Sequence, residues 1–228
     1  MPAPTYDPAA SELAARPAPR YIALEGPIRV GKSTLAQILA RELHARLVQE
    51  SEANPHLDAF YAGQPGAALR AQMHFLAQRY RQLRAVGHGY RPEIVVADYI
   101  FDKDKIFACI NLDDAELALY EQYYDLFRAD VAIPDLIIYL QATPEVLRQR
   151  MARKNLPAEQ RVSDEYLEEV VKAYDHFFFH YSQSDLLVIN TSEIDFVRRP
   201  GDLHELLRRL GQPFKPGTEY FLPLGDRG

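Results

Sequence analysis

The chain has 228 residues, of which 47 % are hydrophobic and 25 % charged, and its formal net charge is −6. This composition is typical of a globular protein with a full hydrophobic core, and the negative balance argues against nucleic acid as the main partner. No apolar run approaches the about 20 residues of a membrane span, so no membrane partner is expected. The single cysteine, Cys109, cannot form an internal disulfide, which fits a cytoplasmic location.

Residues 1–19 are rich in Pro and Ala and lack a cationic start followed by an apolar stretch, which predicts a flexible leader rather than a secretory signal. Ordered structure is predicted from Arg20 onward. Short apolar runs predict five strands, at 21–24, 47–48, 94–97, 136–140 and 186–189. Helical spacing and helix-start signals predict helices at 35–43, 67–86, 116–127, from 143 onward, 165–181 and 202–210.

The predicted strands are continuously apolar rather than alternating, which indicates that both faces of their sheet are covered. Such strands in alternation with helices are typical of an α/β layer architecture, here with a five-stranded parallel sheet flanked by helices. The sequence has no internal repeat and no clear linker. It therefore predicts one domain over 20–210, followed by a Pro- and Gly-rich tail at 211–228.

The segment between the first strand and the first helix, GPIRVGKS at 26–33, matches the phosphate-binding pattern G-x-x-x-x-G-K-[ST]. Its glycines let backbone N–H groups turn toward phosphate oxygens, Lys32 brings a cation to the terminal phosphates, and the Ser33 hydroxyl can bind Mg²⁺. The positive N-terminus of the following helix points at the same anion. The ATP-binding residues predicted here are Gly26, Arg29, Val30, Gly31, Lys32, Ser33 and Thr34.

The motif predicts binding of a nucleoside triphosphate but not its fate, so a kinase competes with a nucleotide-dependent switch that hydrolyses it. Most switches carry a guanine-reading Asn-Lys-x-Asp segment, whereas 190–193, after the last predicted strand, reads Asn-Thr-Ser-Glu. A kinase needs a base for the acceptor hydroxyl, an acidic residue beside the metal and a mobile basic lid.

Candidates for all three kinase requirements follow predicted strands. Glu50 comes after the second strand, where a carboxylate can accept a proton from the substrate. Asp98 comes directly after the third strand, where it can hold Mg²⁺ or its water. Arginines in a lid at 148–161 would stabilise the charge of the transferred phosphoryl group. The basic residues of that lid are Arg148, Arg150, Arg153, Lys154 and Arg161.

In these features the chain resembles the deoxyribonucleoside kinase family, which holds deoxycytidine, deoxyguanosine and deoxyadenosine kinases. The matching pieces are GPIRVGKST, the spacing around Asn54-Pro55 and Phe60-Tyr61, Gln72 to Arg79, DYIFDKDKIFA at 98–108, LQATPE at 140–145 and NTSEIDF at 190–196. The resemblance implies a P-loop kinase fold with a helical lid, ATP and Mg²⁺ as cofactors, a deoxynucleoside substrate, a role in nucleotide salvage and a homodimer. Because 98–108 is similar to bacterial, purine-preferring members, deoxyadenosine or deoxyguanosine is the expected acceptor.

The resemblance also implies a catalytic base, which in the family is a Glu at the end of the second strand. Glu50 holds that place here. Counting back from Asn54 reaches Gln49 instead, but a glutamine cannot act as a base. Glu52 is the alternative base.

Further substrate contacts are implied residue by residue. The amide of Gln72 offers a donor and an acceptor for a base edge, and Tyr61 and Glu159 match the pair that binds the sugar 3′-hydroxyl. Either Asp102 or Asp104 would orient Arg79. The residues assigned to the substrate are Glu50, Tyr61, Gln72, Arg79, Asp98, Asp102 and Glu159.

The chain departs from the family where many members have Glu-Arg-Ser and this sequence has Asp98-Tyr99. The missing arginine leaves a charge to be supplied, for which Lys103 or Lys105 is a candidate. In the lid, Arg150 matches the family's first arginine, and Arg153 and Lys154 share the next position. The alternative enzyme is a thymidylate-type nucleoside monophosphate kinase, which needs a cationic site for the acceptor's phosphate, and the sequence offers no strong one.

Overall fold

Strands and helices alternate along the chain, as the apolar runs predict. The computed structural model describes residues 18–51, 53–89, 92–155, 161–192, 194–214 and 216–221. The strands are β1 (Tyr21–Glu25), β2 (Arg46–Val48), β3 (Val95–Ala97), β4 (Leu136–Gln141), β5 (Asp185–Asn190) and β6 (Thr218–Tyr220). The helices are α1 (Lys32–Glu42), α2 (Leu57–Tyr61), α3 (Ala67–Arg84), α4 (Lys103–Asn111), α5 (Asp114–Arg128), α6 (Pro144–Lys154), α7 (Asp164–Phe179) and α8 (Pro200–Leu210).

The strands form one parallel sheet in the order β2-β3-β1-β4-β5-β6. The predicted parallel α/β architecture is confirmed, but the predicted number of five strands is wrong. The sixth strand lies within 211–228, where it runs beside β5 with Thr218 opposite Leu186. Sequence patterning missed it because this three-residue edge strand is largely exposed and carries no apolar run.

Both faces of the sheet are covered, which explains why its strands are continuously apolar. Successive side chains of β1 point to opposite faces. Tyr21 and Ala23 pack into a core with side chains of α3, α4, α5 and α7. Ile22 and Leu24 pack into a second core with side chains of α1, α6, α7 and α8.

The helices begin where local capping chemistry allows. Thr143 caps α6 ahead of Pro144, as predicted, and Asp113 caps α5 by accepting from two backbone N–H groups.

The carboxyl ends of the parallel strands β1, β2 and β3 lie at one edge of the sheet, so the loops after them meet there. Within the described ranges, no helix is long and apolar enough to cross a membrane.

Candidate active site

The loop after β1 is shaped by two glycines at positive φ, a region in which side chains are strained. Gly26 has a φ of 148° and Gly31 a φ of 115°. A Cβ at Gly26 would lie 2.3 Å from the carbonyl oxygen of Leu140, so no side chain fits there. Gly31 leads into α1, whose first turn has no side-chain cap. The backbone N–H groups of that turn are therefore left to bind an anion.

Lys32 is the cation of this loop. Its Nζ donates to the carbonyl oxygens of Gly26 (2.7 Å) and Pro27 (3.0 Å). Burial and the nearby charge of Lys103 lower the pKa of Lys32 to about 8. Lys32 and Ser33 line the same large cavity, so the phosphate loop opens into it.

Glu50 follows β2, and two cations hold its carboxylate. Arg79 donates to Oε1 from Nη2 (2.7 Å) and Nε (3.0 Å), and Lys103 forms an ion pair with Oε2. The backbone N–H of Glu50 donates to Oδ1 of Asp98 at 2.6 Å. Burial alone would raise the pKa of Glu50, but the charges and hydrogen bonds of Lys103 and Arg79 hold it well below its usual range. The carboxylate is thus ionised and oriented at the cavity wall.

Arg79 connects Glu50 to a second buried acid. Its guanidinium, on α3, also forms an ion pair with Asp104, which accepts from the Tyr120 hydroxyl at 2.7 Å through its other oxygen. Both Arg79 (4 % exposed) and Asp104 (0 % exposed) are buried. Of the two acids that the sequence leaves open, the structure therefore places Asp104 beside Arg79.

Asp102 lies elsewhere, which corrects its assignment to the substrate. Its Oδ1 accepts from the Tyr124 hydroxyl (2.7 Å) and from Nε of Arg128 (3.3 Å), both on α5. It is not among the residues that line the cavity. The physical reason is helical geometry, because residues two apart on a helical turn point in nearly opposite directions.

A cavity of about 1040 Å³ is lined on one part by the phosphate loop and on another by aromatic rings, among them Phe75 and Phe107. Gln72 also lines the cavity, and its Nε2 donates to the backbone oxygen of Asp104 at 2.7 Å. Tyr61 lies at the end of α2 and lines the same cavity. A cavity that combines aromatic rings with amide and hydroxyl groups, such as those of Gln72 and Tyr61, suits a flat base joined to a sugar.

Asp98 lies behind the wall of this cavity. It is 3 % exposed, and its carboxylate holds the loop that carries Glu50. Its charge also acts on Lys32, so the two lie near each other. In the described part of the chain, no three His, Cys, Asp or Glu side chains are grouped to hold a metal. Of the two expected Mg²⁺ ligands, Ser33 lines the cavity and Asp98 does not. An Mg²⁺ ion takes few protein ligands and keeps water and phosphate oxygens for the rest of its coordination.

The basic side chains of the lid helix α6 point in different directions. Arg150 donates to the backbone oxygens of Val30 (2.9 Å) and Thr191 (2.7 Å). It therefore ties α6 to the phosphate loop and to the turn after β5. Arg148 instead pairs with Asp164 at the start of α7, at 2.5 Å.

Other predicted lid and substrate residues divide into three groups. Lys154 and Arg161 line the cavity together with Arg150. Arg153 is exposed and is not among the lining residues. Glu159 and the alternative base Glu52 lie outside the described residues.

Glu25 is a buried acid whose role sequence reasoning missed. One carboxylate oxygen accepts from the N–H of Gly26 (2.9 Å) and the hydroxyl of Tyr174 (3.1 Å), and the other accepts from the N–H of Ile100 (3.0 Å). Burial raises the pKa of Glu25, against the charge of Lys103. Glu25 thereby joins the phosphate loop, the segment after β3 and α7. The sequence does carry a signal for this role, because Glu25 is a charged residue at the end of an otherwise apolar strand and directly precedes the phosphate-binding motif.

The comparisons with known proteins identify the family of the chain. The model of the family described as deoxynucleoside kinase matches residues 22–213. The deoxyguanosine kinase of Bacillus subtilis (strain 168) is 31 % identical over 193 residues, which cover 82 % of this chain and 93 % of that protein. The deoxyadenosine kinase of Lactobacillus acidophilus is 24 % identical over 211 residues, which cover 86 % of this chain and 97 % of that protein.

Solved structures agree on the fold. The structure of deoxyadenosine kinase from M. mycoides with products dCMP and a flexible dCDP bound matches with a TM-score of 0.72 at 21 % identity, over 83 % of this chain and 97 % of that one. The sequence match alone extends over most of the chain and includes the phosphate loop, both strand-end acids and the lid helix. The chain belongs to the deoxynucleoside kinase family, whose members are ATP-dependent phosphotransferases.

Proposed function

We propose that this protein transfers the γ-phosphoryl group of ATP to the 5′-hydroxyl of a deoxynucleoside. One observation carries the proposal: the carboxylate of Glu50 and the ammonium of Lys32 border the same cavity and lie close enough for their charges to interact. A base facing a phosphate-binding lysine across one space is the arrangement that phosphoryl transfer to an alcohol needs.

In the proposed reaction, Glu50 takes the proton of the 5′-hydroxyl while the oxygen of that hydroxyl forms a bond to the γ-phosphorus. The bond from that phosphorus to the bridging oxygen of ATP breaks, and ADP leaves. Lys32 holds the terminal phosphates during transfer, and Arg150 and Lys154 of the lid add positive charge over the transferred oxygens. Negative charge accumulates on these oxygens in the transition state, and nearby cations lower the activation barrier by stabilising that charge.

Magnesium is proposed to bind between the phosphates and the protein. Ser33 would contribute its hydroxyl and Asp98 its carboxylate, directly or through water. Bound in this way, Mg²⁺ supplies further positive charge to the phosphate oxygens.

The acceptor is proposed to be a purine deoxynucleoside, deoxyadenosine or deoxyguanosine, in nucleotide salvage. The aromatic rings that line the cavity support a base sandwiched between them, with Gln72 at its edge and Tyr61 at the sugar. Glu159, outside the described residues, is proposed from the family resemblance alone to join Tyr61 there. The names of the two relatives described above, a deoxyguanosine kinase and a deoxyadenosine kinase, support a purine deoxynucleoside as acceptor.

The test incubates the full chain with labelled ATP and Mg²⁺ against each deoxynucleoside, ribonucleoside and nucleoside monophosphate. Label on the 5′-position of a purine deoxynucleoside is the expected outcome. Label on a monophosphate alone would identify a thymidylate-type kinase instead, and label released only as free phosphate would identify a nucleotide-dependent switch. Label on a pyrimidine deoxynucleoside alone would overturn only the purine preference.

Two variants test the base. Glu50→Gln is expected to lower kcat by about 10²- to 10⁴-fold while ATP still binds, because an amide cannot take the proton. Glu52→Gln is the matched control, since it makes the same change two residues along. Loss of transfer in Glu52→Gln, with Glu50→Gln still active, would assign the base to Glu52.

A cytoplasmic homodimer is also proposed. Leu119, Tyr123 and Leu126 on α5 are 44 %, 43 % and 70 % exposed, and their spacing of four and three residues puts them on one face. Exposed apolar stripes of this kind support association with a second chain. Analytical sedimentation of the wild type and of Leu126→Glu measures the oligomeric state, and the variant is expected to dimerise less. A wild type that is a monomer at micromolar concentration would overturn the proposal.

A further inference from the structure

Lys103 is a buried lysine at the acceptor end of the cavity. It is the first residue of α4, and its side chain is 10 % exposed. The ammonium pairs with Oε2 of Glu50 and lies 6.0 Å from the centre of the Phe107 ring. Lysine is rarely buried without a partner, because taking its charge out of water costs several kcal/mol. A lysine kept in such a place requires an explanation.

Lys103 lies near charged residues of both the phosphate loop and the strand-end acids. Its charge acts on Lys32, the cation of the phosphate loop, as well as on Glu50 and Glu25. Lys103 and Lys32 line the same cavity. The ammonium of Lys103 therefore lies in contact with Glu50 and near Lys32, in the cavity that all three residues line.

Lys105 does not share this position, although it lies two residues further along α4. Its side chain is 40 % exposed and pairs with Glu121 at 3.1 Å. It also lies 5.5 Å from the ring of Tyr124 on α5. The structure therefore distinguishes two lysines that the sequence could not, and only Lys103 faces the cavity.

We propose that Lys103 is a catalytic cation that moves its hydrogen bond from Glu50 to the transferred phosphoryl group during the reaction. Before transfer, its ammonium holds the Glu50 carboxylate toward the acceptor hydroxyl. Glu50 then takes the hydroxyl proton, the 5′-oxygen bonds to the γ-phosphorus, and the bond to the bridging oxygen breaks as ADP leaves. Lys103 stays protonated throughout and ends on an oxygen of the new phosphate.

Charge drives this exchange of partners. Once Glu50 is protonated it is neutral and attracts the ammonium far less, while the negative charge of the phosphoryl group is now directly across the cavity. Arg79 is held by both Glu50 and Asp104, so its guanidinium is anchored at the far side of Glu50. Lys103 has a flexible stem, which suits a cation that must move.

The inference rests on the proposed function, and the experiment separates the two. Deoxynucleoside phosphorylation is measured for the wild type, Lys103→Ala, Lys103→Gln, Lys103→Arg and the matched control Lys105→Ala. Lys103→Ala and Lys103→Gln are expected to lower kcat by about 10²- to 10³-fold, with KM for the deoxynucleoside changed by less than about threefold. Lys103→Arg should keep more activity than either, and Lys105→Ala should match the wild type.

Two further readouts distinguish chemistry from a structural role. Added methylammonium should restore activity to Lys103→Ala in proportion to its concentration, and should not affect Glu50→Gln. The double variant Glu50→Gln with Lys103→Ala should be hardly slower than Glu50→Gln alone, because residues that act as a unit are not additive. Thermal unfolding shows that each variant is folded, and Lys103→Gln takes the place of Lys103→Ala if the latter is not.

The outcomes are distinct. A wild type without deoxynucleoside phosphorylation overturns the proposed function itself. An active wild type with a Lys103→Gln variant of equal kcat overturns the role of Lys103 alone, as does a folded Lys103→Ala that methylammonium fails to rescue. If the fold-loss of kcat in the double variant equals the product of the losses in the two single variants, the proposed exchange of partners is overturned.

Discussion

The ion pairs of Arg79 allow a quantitative prediction for the variant Arg79→Met, which keeps a long apolar stem and removes the charge. In the wild type, this 4 % exposed side chain joins Glu50 at 2.7 and 3.0 Å and pairs with Asp104. The variant removes the cation that pairs with Asp104, which is 0 % exposed, and one of the two cations that pair with Glu50, which is 18 % exposed. Removing one partner of a buried ion pair costs about 3–5 kcal/mol, so the free energy of unfolding should fall by that amount.

Arg84→Met is the matched control on the same helix. Arg84 pairs with Asp130 at 3.0 Å, a distance similar to that between Arg79 and Glu50, but the two side chains are 62 % and 48 % exposed. Exposed pairs contribute about 0–1 kcal/mol because water and salt screen them. The comparison therefore isolates burial, since helix, residue type and substitution are the same.

Urea unfolding at pH 7 measures both variants. A second substitution, Asp104→Asn, made together with Arg79→Met, should recover part of the loss because it removes one stranded charge. Equal losses of unfolding free energy in Arg79→Met and Arg84→Met, or a second substitution that only adds to the loss, would contradict a cost due to buried charge.

The same variant has a predicted pH dependence. In the folded wild type, Lys103 and Arg79 lower the pKa of Glu50 below its ordinary value of 4.5, against the effect of burial. A lowered pKa means that pairing stabilises the protein above pH 4.5 and that this contribution is lost as the pH falls toward the folded-state pKa. The difference in unfolding free energy between wild type and Arg79→Met should therefore narrow below pH 4.5.

Three smaller changes test other parts of the structure. Gly26→Ala should abolish ATP binding and lower the unfolding free energy by several kcal/mol, since its Cβ would meet the Leu140 carbonyl oxygen at 2.3 Å; normal binding would contradict this. Asp113→Ala should cost about 1 kcal/mol in urea unfolding through the lost helix cap. Tyr120→Phe should cost about 1–3 kcal/mol, because Asp104 loses its hydroxyl donor; an unchanged midpoint would argue against that bond.

Much of the fold follows from local patterns. The strands β1, β4 and β5 are runs of five or six residues, nearly all buried, so their apolar runs were unambiguous. The helices α2 and α4 were not predicted, since five and nine residues carry little periodicity. The edge strand β6 was missed for a similar reason, because an exposed strand of three residues needs its neighbour β5 to exist at all.

The sequence by itself determined the phosphate loop, because every group in 26–33 acts through its own backbone or through a side chain at a set place in the motif. It also located acids at the ends of two strands, which parallel topology brings to one edge of the sheet. Only the tertiary structure decided that Asp104 rather than Asp102 meets Arg79, and that Lys103 rather than Lys105 meets Glu50. Both choices depend on which way α4 is turned when it packs against α3 and α5, and that rotation is set by long-range contacts rather than by neighbouring residues.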